Sequence, residues 1–256
     1  MDVGSPQWLQ ATDGVLGRSE RLRLLARIAG QAPLVLAHRG WAEVWRHRRS
    51  RGTCDVDVTA VPASGAAQTA AAACQRALSP AFVNHSYRTW LFGMALAAHD
   101  GAADELDAET FFVAAMLHDL GLAQVHAGCC FTRAGTDAAL TVAGWTSPGS
   151  APATAAAAAV SDHITPGVSR RDNPHGYYLQ RGSLLDLTGV RAASLPRDFV
   201  WRVFERHPAH GVKAEAPMRW RAEAEAVRHG RADLLERWGR FSLMARVSPL
   251  PPPPPR

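Results

Sequence analysis

Apolar residues recur at helical spacing over most of this chain, and from residue 66 onward nearly every segment reads as one face of an α-helix. Residues 66–78 form the first such stretch, closed by Ser79-Pro80, because a proline disfavours helical backbone in the residue before it. Residues 82–100 form a second, with Val83, Tyr87, Trp90, Leu91, Met94 and Leu96 as apolar members. A third is predicted over 108–120, with Asp107 as its N-cap and Gly121 placed to end it. Further helices are predicted over 136–145, 154–164, 176–187, 196–206 and 220–238, with polar, Gly/Pro-rich loops at 146–152 and 165–174.

The first 65 residues are less regular. Leucines and arginines keep helical spacing over 16–29, a second short helix is expected at 41–45, and a basic, solvated cluster follows at 46–51. Residues 54–61 alternate apolar and polar like a short strand until Pro62, Ser64 and Gly65 break the pattern. The prolines at 249 and 251–255 predict a stiff, extended, disordered tail. The simplest organisation is one all-α domain over residues 66–247, an N-terminal extension over 1–65 and a Pro-rich tail over 248–256. No internal repeat is visible.

Composition narrows the function classes. Leucine and alanine dominate while isoleucine and tyrosine are scarce, which favours helix over sheet. The net charge of +5 comes almost wholly from arginine, Lys213 being the only lysine, and the basic residues lack interleaved stacking aromatics. No nucleic-acid partner is expected. Cys54, Cys74, Cys129 and Cys130 are too few for a disulfide framework in 256 residues and read as reduced thiols. Residues 1–10 lack a signal-peptide pattern, and no apolar run has the length of a membrane span. A cytoplasmic protein acting on a small molecule, without a membrane partner, is expected; a homo-oligomer is left open.

The chemistry is concentrated in Leu117-His118-Asp119-Leu120-Gly121. An adjacent His-Asp pair on a helix whose Phe111, Phe112, Ala115, Met116 and Leu120 are apolar is costly to bury unless both side chains hold an ion. His85 lies mid-helix in the preceding segment, and an antiparallel hairpin would bring it level with His118. A lone helical histidine is more often a packed or surface residue, but two of them with a buried aspartate suit zinc, iron or manganese.

The order His85, His118-Asp119, Asp186 resembles the HD-domain superfamily of metal-dependent enzymes. Residues 78–93 (LSPAFVNHSYRTWLFG) and 109–122 (ETFFVAAMLHDLGL) are similar to the two ligand helices of its cyanamide-hydratase-like branch. The similarity continues through Cys130-Phe131, Gly135, 162–167 (DHITPG) and 183–189 (SLLDLTG), covering about residues 72–213. The resemblance implies an HD-domain helical bundle whose metal ligands are His85, His118, Asp119 and Asp186, holding one divalent ion, with zinc first and iron or manganese as alternatives. It also implies that His163 faces the pocket and that Asn84 meets substrate, although Asn84 also suits a capping role at a helix start. Arg88 would brace a ligand carboxylate or reach solvent. His126 and His175 match no ligand position and are expected at the surface, so one ion is favoured over two.

Such a site activates water, and three functions follow as expectations. The first is hydration or hydrolysis of a small molecule, as in cyanamide or nitrile hydration, with His163, Asn84 and Asp119 as catalytic residues. The second is phosphoester or nucleotide hydrolysis, for which Arg170 and Arg171 are the candidate phosphate contacts. The third is a non-catalytic, metal-containing binding module.

Overall fold

The computed structural model describes residues 1–46, 52–147 and 149–252, and its regular elements are all helical. A short α1 (Pro6–Thr12) and a long α2 (Arg18–Trp45) precede α3 (Gly65–Ala77), α4 (Pro80–His99) and α5 (Ala108–Leu117). After these come α6 (Thr132–Thr141), α7 (Ala151–Asp162), α8 (Pro174–Thr188), α9 (Arg197–Arg206), α10 (Val212–Ala226), α11 (Arg231–Arg237) and α12 (Phe241–Arg246). No helix among the described residues is long and apolar enough to cross a membrane.

Helix α5 is the centre of the molecule. Thr110 through Leu117 are all buried, as expected of a helix that is apolar on every side. Its start is set by the predicted cap, the Asp107 carboxylate accepting from Thr110 N at 2.8 Å. Around it pack α3, α4, α6, α7 and α8. Helices α4 and α8 approach closely. A methyl group on Gly182 would lie 2.2 Å from the Thr89 carbonyl oxygen and 2.9 Å from Gly93 N, so these two backbones meet with no side chain between them. That approach brings His85 on α4 within reach of Asp186 on α8. Similarly, a methyl group on Gly135 would lie 2.2 Å from the Leu117 carbonyl oxygen, so α6 is seated on the turn that carries the His-Asp doublet.

Several local expectations are corrected. The two short N-terminal helices are one, since α2 runs unbroken through Pro33. Proline removes one backbone donor, and a helix as exposed as this one tolerates the loss. Residues 54–61 form no strand, because no segment among the described residues pairs with them, yet their alternation is real: Cys54, Val56 and Val58 are half-buried while Asp55 and Asp57 are exposed. The predicted helix at 220–238 is two helices, broken where His229 takes a positive φ of 65° before Gly230. The Pro-rich tail begins docked, with Pro249 and Leu250 buried and Pro249 packed over Gly189. Residues 253–256 of the tail and 47–51 of the basic cluster lie outside the described residues.

The extension contributes to the core. Trp8, Leu9, Leu16 and Leu24 are buried, and the Trp8 ring lies under the guanidinium of Arg231, 5.0 Å from its centroid. Arg231 is itself fully buried, donating to Ser161 O, Thr165 Oγ1 and Thr132 Oγ1. Nearby, Glu223 accepts from Phe131 N at 3.1 Å, while its second oxygen is buried without a partner. Burial pushes the Glu223 carboxyl up to about 7, against the pull of the Phe131 amide and Arg231. The folded chain therefore holds this proton more firmly than the unfolded chain does. Its contribution to stability is fully present below the ordinary glutamate range and is lost as the pH rises towards 7. Glu223→Gln is expected to remove that slope and to stabilise the protein by about 3 kcal/mol at pH 8, read from urea midpoints at pH 5 and pH 8. Equal pH slopes in the two proteins would contradict this.

Candidate metal centre

The doublet sits at the end of α5 rather than within a continuing helix. His118 keeps helical angles, but Asp119 turns out of them (φ −106°, ψ 9°) into a 3₁₀ turn over Leu120–Ala123. That departure replaces the expected helical separation of adjacent residues and lets the Asp119 carboxylate fold back towards its neighbour. Asp119 Oδ2 lies 3.2 Å from His118 Nε2 and 3.5 Å from His85 Nε2. The two histidines are fully buried, with ring centroids 5.3 Å apart. Ligand atoms of His85, His118 and Asp119 all lie within 4.8 Å of one another.

The hydrogen bonds fix which atoms face this point. His118 Nδ1 is 2.8 Å from the Ala115 carbonyl, which can only accept, so the proton is on Nδ1. His85 Nδ1 likewise donates to Asp186 Oδ2 at 2.6 Å. In the neutral imidazoles both Nε2 atoms then present lone pairs to an anionic oxygen, with the Ser183 hydroxyl 3.5 Å from that of His85. His118 Nε2 is buried with no hydrogen-bond partner. Three acceptors facing one another without a proton repel, and a proton or a cation between them relieves the repulsion. The pKa directions express the same demand. Burial works against protonating His118, but the Asp119 carboxylate overrides it and holds the imidazole above its ordinary value. Burial also pushes Asp119 up, yet His118, His85 and His163 outweigh it and hold the carboxyl down to about 2. Two imidazoles and a carboxylate are a donor set suited to a divalent transition metal, so the residues present fit the ion.

Asp186 is placed on the far side of His85. Arg88 grips it through Nε to Oδ1 at 2.6 Å and a terminal nitrogen to Oδ2 at 2.8 Å. Arg88 also donates to the carbonyls of His207 and Pro208. Burial opposes ionisation of Asp186, and the guanidinium with the His85 bond holds its carboxyl below the usual range. Of the two expectations for Arg88, bracing a carboxylate is the one realised. Asp186 thus reaches the converging atoms through the His85 ring, and its own oxygens are not among the three that meet.

His163 caps the end of α7, stacks edge-on against His118 with centroids 5.0 Å apart, and donates from Nδ1 to the Val160 carbonyl. Burial, followed by the neighbouring His118, lowers its pKa to about 3, so it is neutral with a free Nε2. With Asp119 it lines a cavity of about 530 Å³. Asn84 is half-buried on α4 and lines no part of that cavity; the capping role belongs to Ser79, whose hydroxyl accepts from Phe82 N. His126 is exposed as expected, whereas His175 is half-buried and accepts from Asp107 N at the start of α5. Arg170 pairs with Glu105 on the exterior, and neither it nor Arg171 reaches the cavity. Gln180 and Ser183, both on α8, line the cavity and were not singled out from sequence; polar residues in a helix give no local sign of what they face.

Residues 82–175 match the family model described as HD domain. The match spans His85, His118, Asp119 and His163 and stops before Asp186. It supports the HD-domain superfamily, and the all-α bundle agrees with that fold. Comparison with curated proteins returns no match.

Proposed function

We propose that this HD-domain chain is a metal-dependent enzyme that adds water to a small molecule at His85, His118 and Asp119, by hydration of a nitrile-like carbon. The observation that carries the reading is the unpartnered, buried Nε2 of His118 aimed at the same point as His85 Nε2 and Asp119 Oδ2. His85, His118 and Asp119 would hold one divalent ion, zinc, iron or manganese, with Asp186 fixing His85 from behind as a carboxylate does in many metal sites. Bound there, such an ion supplies a lowered pKa for water and polarisation of the substrate. Hydration delivers the water oxygen to the electrophilic carbon and a proton to the substrate nitrogen. His163 Nε2 and the Asp119 carboxylate are the acceptors beside that path, and His163 orients the water without carrying charge itself. Asn84 has no part in this scheme, since it lines no part of the cavity.

Turnover of cyanamide, short nitriles and a generic phosphodiester by the metal-loaded protein tests the proposal. Hydration of at least one nitrile-type compound is expected; hydrolysis of the phosphodiester alone would reject the hydratase reading, and a metal-loaded protein inert to all would favour a binding module. His163→Ala is expected to lower turnover by at least about 10²-fold. Its metal content should be unchanged, because His163 is not among the converging ligands; loss of metal with the activity would reject the role given to it.

A further inference from the structure

We infer that the substrate is an uncharged, mainly apolar molecule that reacts through a small head carrying an N–H or O–H donor. This rests on His85, His118 and Asp119 being the reacting end of the cavity. At about 530 Å³ the cavity is large enough to enclose a drug-sized ligand, far more than a molecule of three heavy atoms needs. Its walls are apolar: Ile28 and Val35 from α2, Phe82 from α4, Leu184 and Leu187 from α8, and Phe241 from α12. Its outer rim carries Leu36, Trp238, Leu243 and Val247, all exposed.

The polar side-chain atoms at the buried end are acceptors, apart from the Ser183 hydroxyl, whose proton can go to His85 Nε2 at 3.5 Å. Asp119 offers a carboxylate and His163 a free Nε2. Gln180 is 7% exposed, and its amide nitrogen donates to the carbonyls of His163 and Thr165, both at 2.8 Å. Those two bonds use both amide protons and fix the side chain, so Oε1 is the atom left to the cavity. Three acceptors select a head that donates and disfavour an anion. The arginines that could pair an anion are engaged elsewhere. Arg88 holds Asp186 and two carbonyls behind the site. Arg39 donates to the carbonyls of Met244 at 3.0 Å and Val247 at 2.7 Å, tying α2 across to α12. Arg240 lines the cavity and is exposed to solvent. Among the described residues no free cationic side chain meets a phosphate head at the buried end, so in the chelated protein such a head would enter an apolar, acceptor-lined site, which is unfavourable.

The test is calorimetric titration of the primary amides from propanamide to decanamide into the full-length protein, metal-loaded and after chelation. Octanoate and octyl phosphate are compared with octanamide in the chelated protein, so that only the chain's own groups are read. Affinity is expected to rise about fourfold for each added methylene until the tail outgrows the cavity. Octanamide should bind at least tenfold more tightly than octanoate or octyl phosphate. Val35→Asp, on the cavity-facing side of an otherwise exposed helix, should weaken octanamide at least tenfold and propanamide little. An affinity independent of chain length, or tighter binding of octyl phosphate than of octanamide, would overturn the inference. The chelated series decides it even if the protein binds no metal, and a flat series in a protein that does bind metal would leave the proposed site standing without this substrate class.

Discussion

Replacing Arg88 by methionine is expected to destabilise the fold by about 3–5 kcal/mol, the usual cost of leaving a buried carboxylate without its partner. Arg88 is fully buried, and it holds both oxygens of Asp186 together with two backbone carbonyls. Lysine should not rescue it, because one ammonium cannot reproduce the paired grip and the carbonyl bonds together. Replacing Asp186 by leucine in the same protein should recover part of the loss, since the uncompensated charge then goes too. Urea unfolding reads these differences from the midpoints at constant slope. A midpoint in Arg88→Met close to that of the wild type would reject the buried pair. Arg88→Met should also bind metal about 10- to 100-fold more weakly, because the Asp186 carboxylate that orients His85 is no longer held in place by the guanidinium.

Chelating the ion is expected to lower Tm by about 10 °C. A ligand present at a thousandfold its Kd stabilises the folded state by about 4 kcal/mol, and a domain of this size shifts about 2–4 °C for each kcal/mol. His118→Ala should melt at one temperature with or without the ion. That comparison separates the loss of metal from the loss of packing at a fully buried position. If the wild type melts identically before and after chelation, the site holds no ion that matters to the fold.

The helices and the doublet were legible in the sequence because each is announced locally. Asp107 caps α5 as its residue type predicts, and the apolar run from Phe111 to Leu117 places that helix at the centre. Contacts between distant segments were legible only in part: bracing a ligand carboxylate was one of two expectations for Arg88, and nothing local decided between them or named Asp186 as the one it holds. The grip of Arg88 on Asp186 spans 98 residues, and it depends on glycine letting α4 and α8 touch at Gly182. Nothing local to residues 28–36 marks one side of α2 as a cavity wall, since that helix is largely exposed and carries polar residues among its leucines. Residues 54–58 show the converse: alternation announced a half-buried surface correctly, but a strand also needs a partner, and no stretch of neighbouring sequence states whether one exists.

The most direct measurement of the account is calorimetric titration of Mn²⁺ and Zn²⁺ into chelated wild-type protein and into His118→Ala. Convergence of His85, His118 and Asp119 predicts one equivalent bound by the wild type and none by the variant at the same concentrations. A wild type that takes up neither ion, or a variant that binds as tightly as the wild type, would contradict the account.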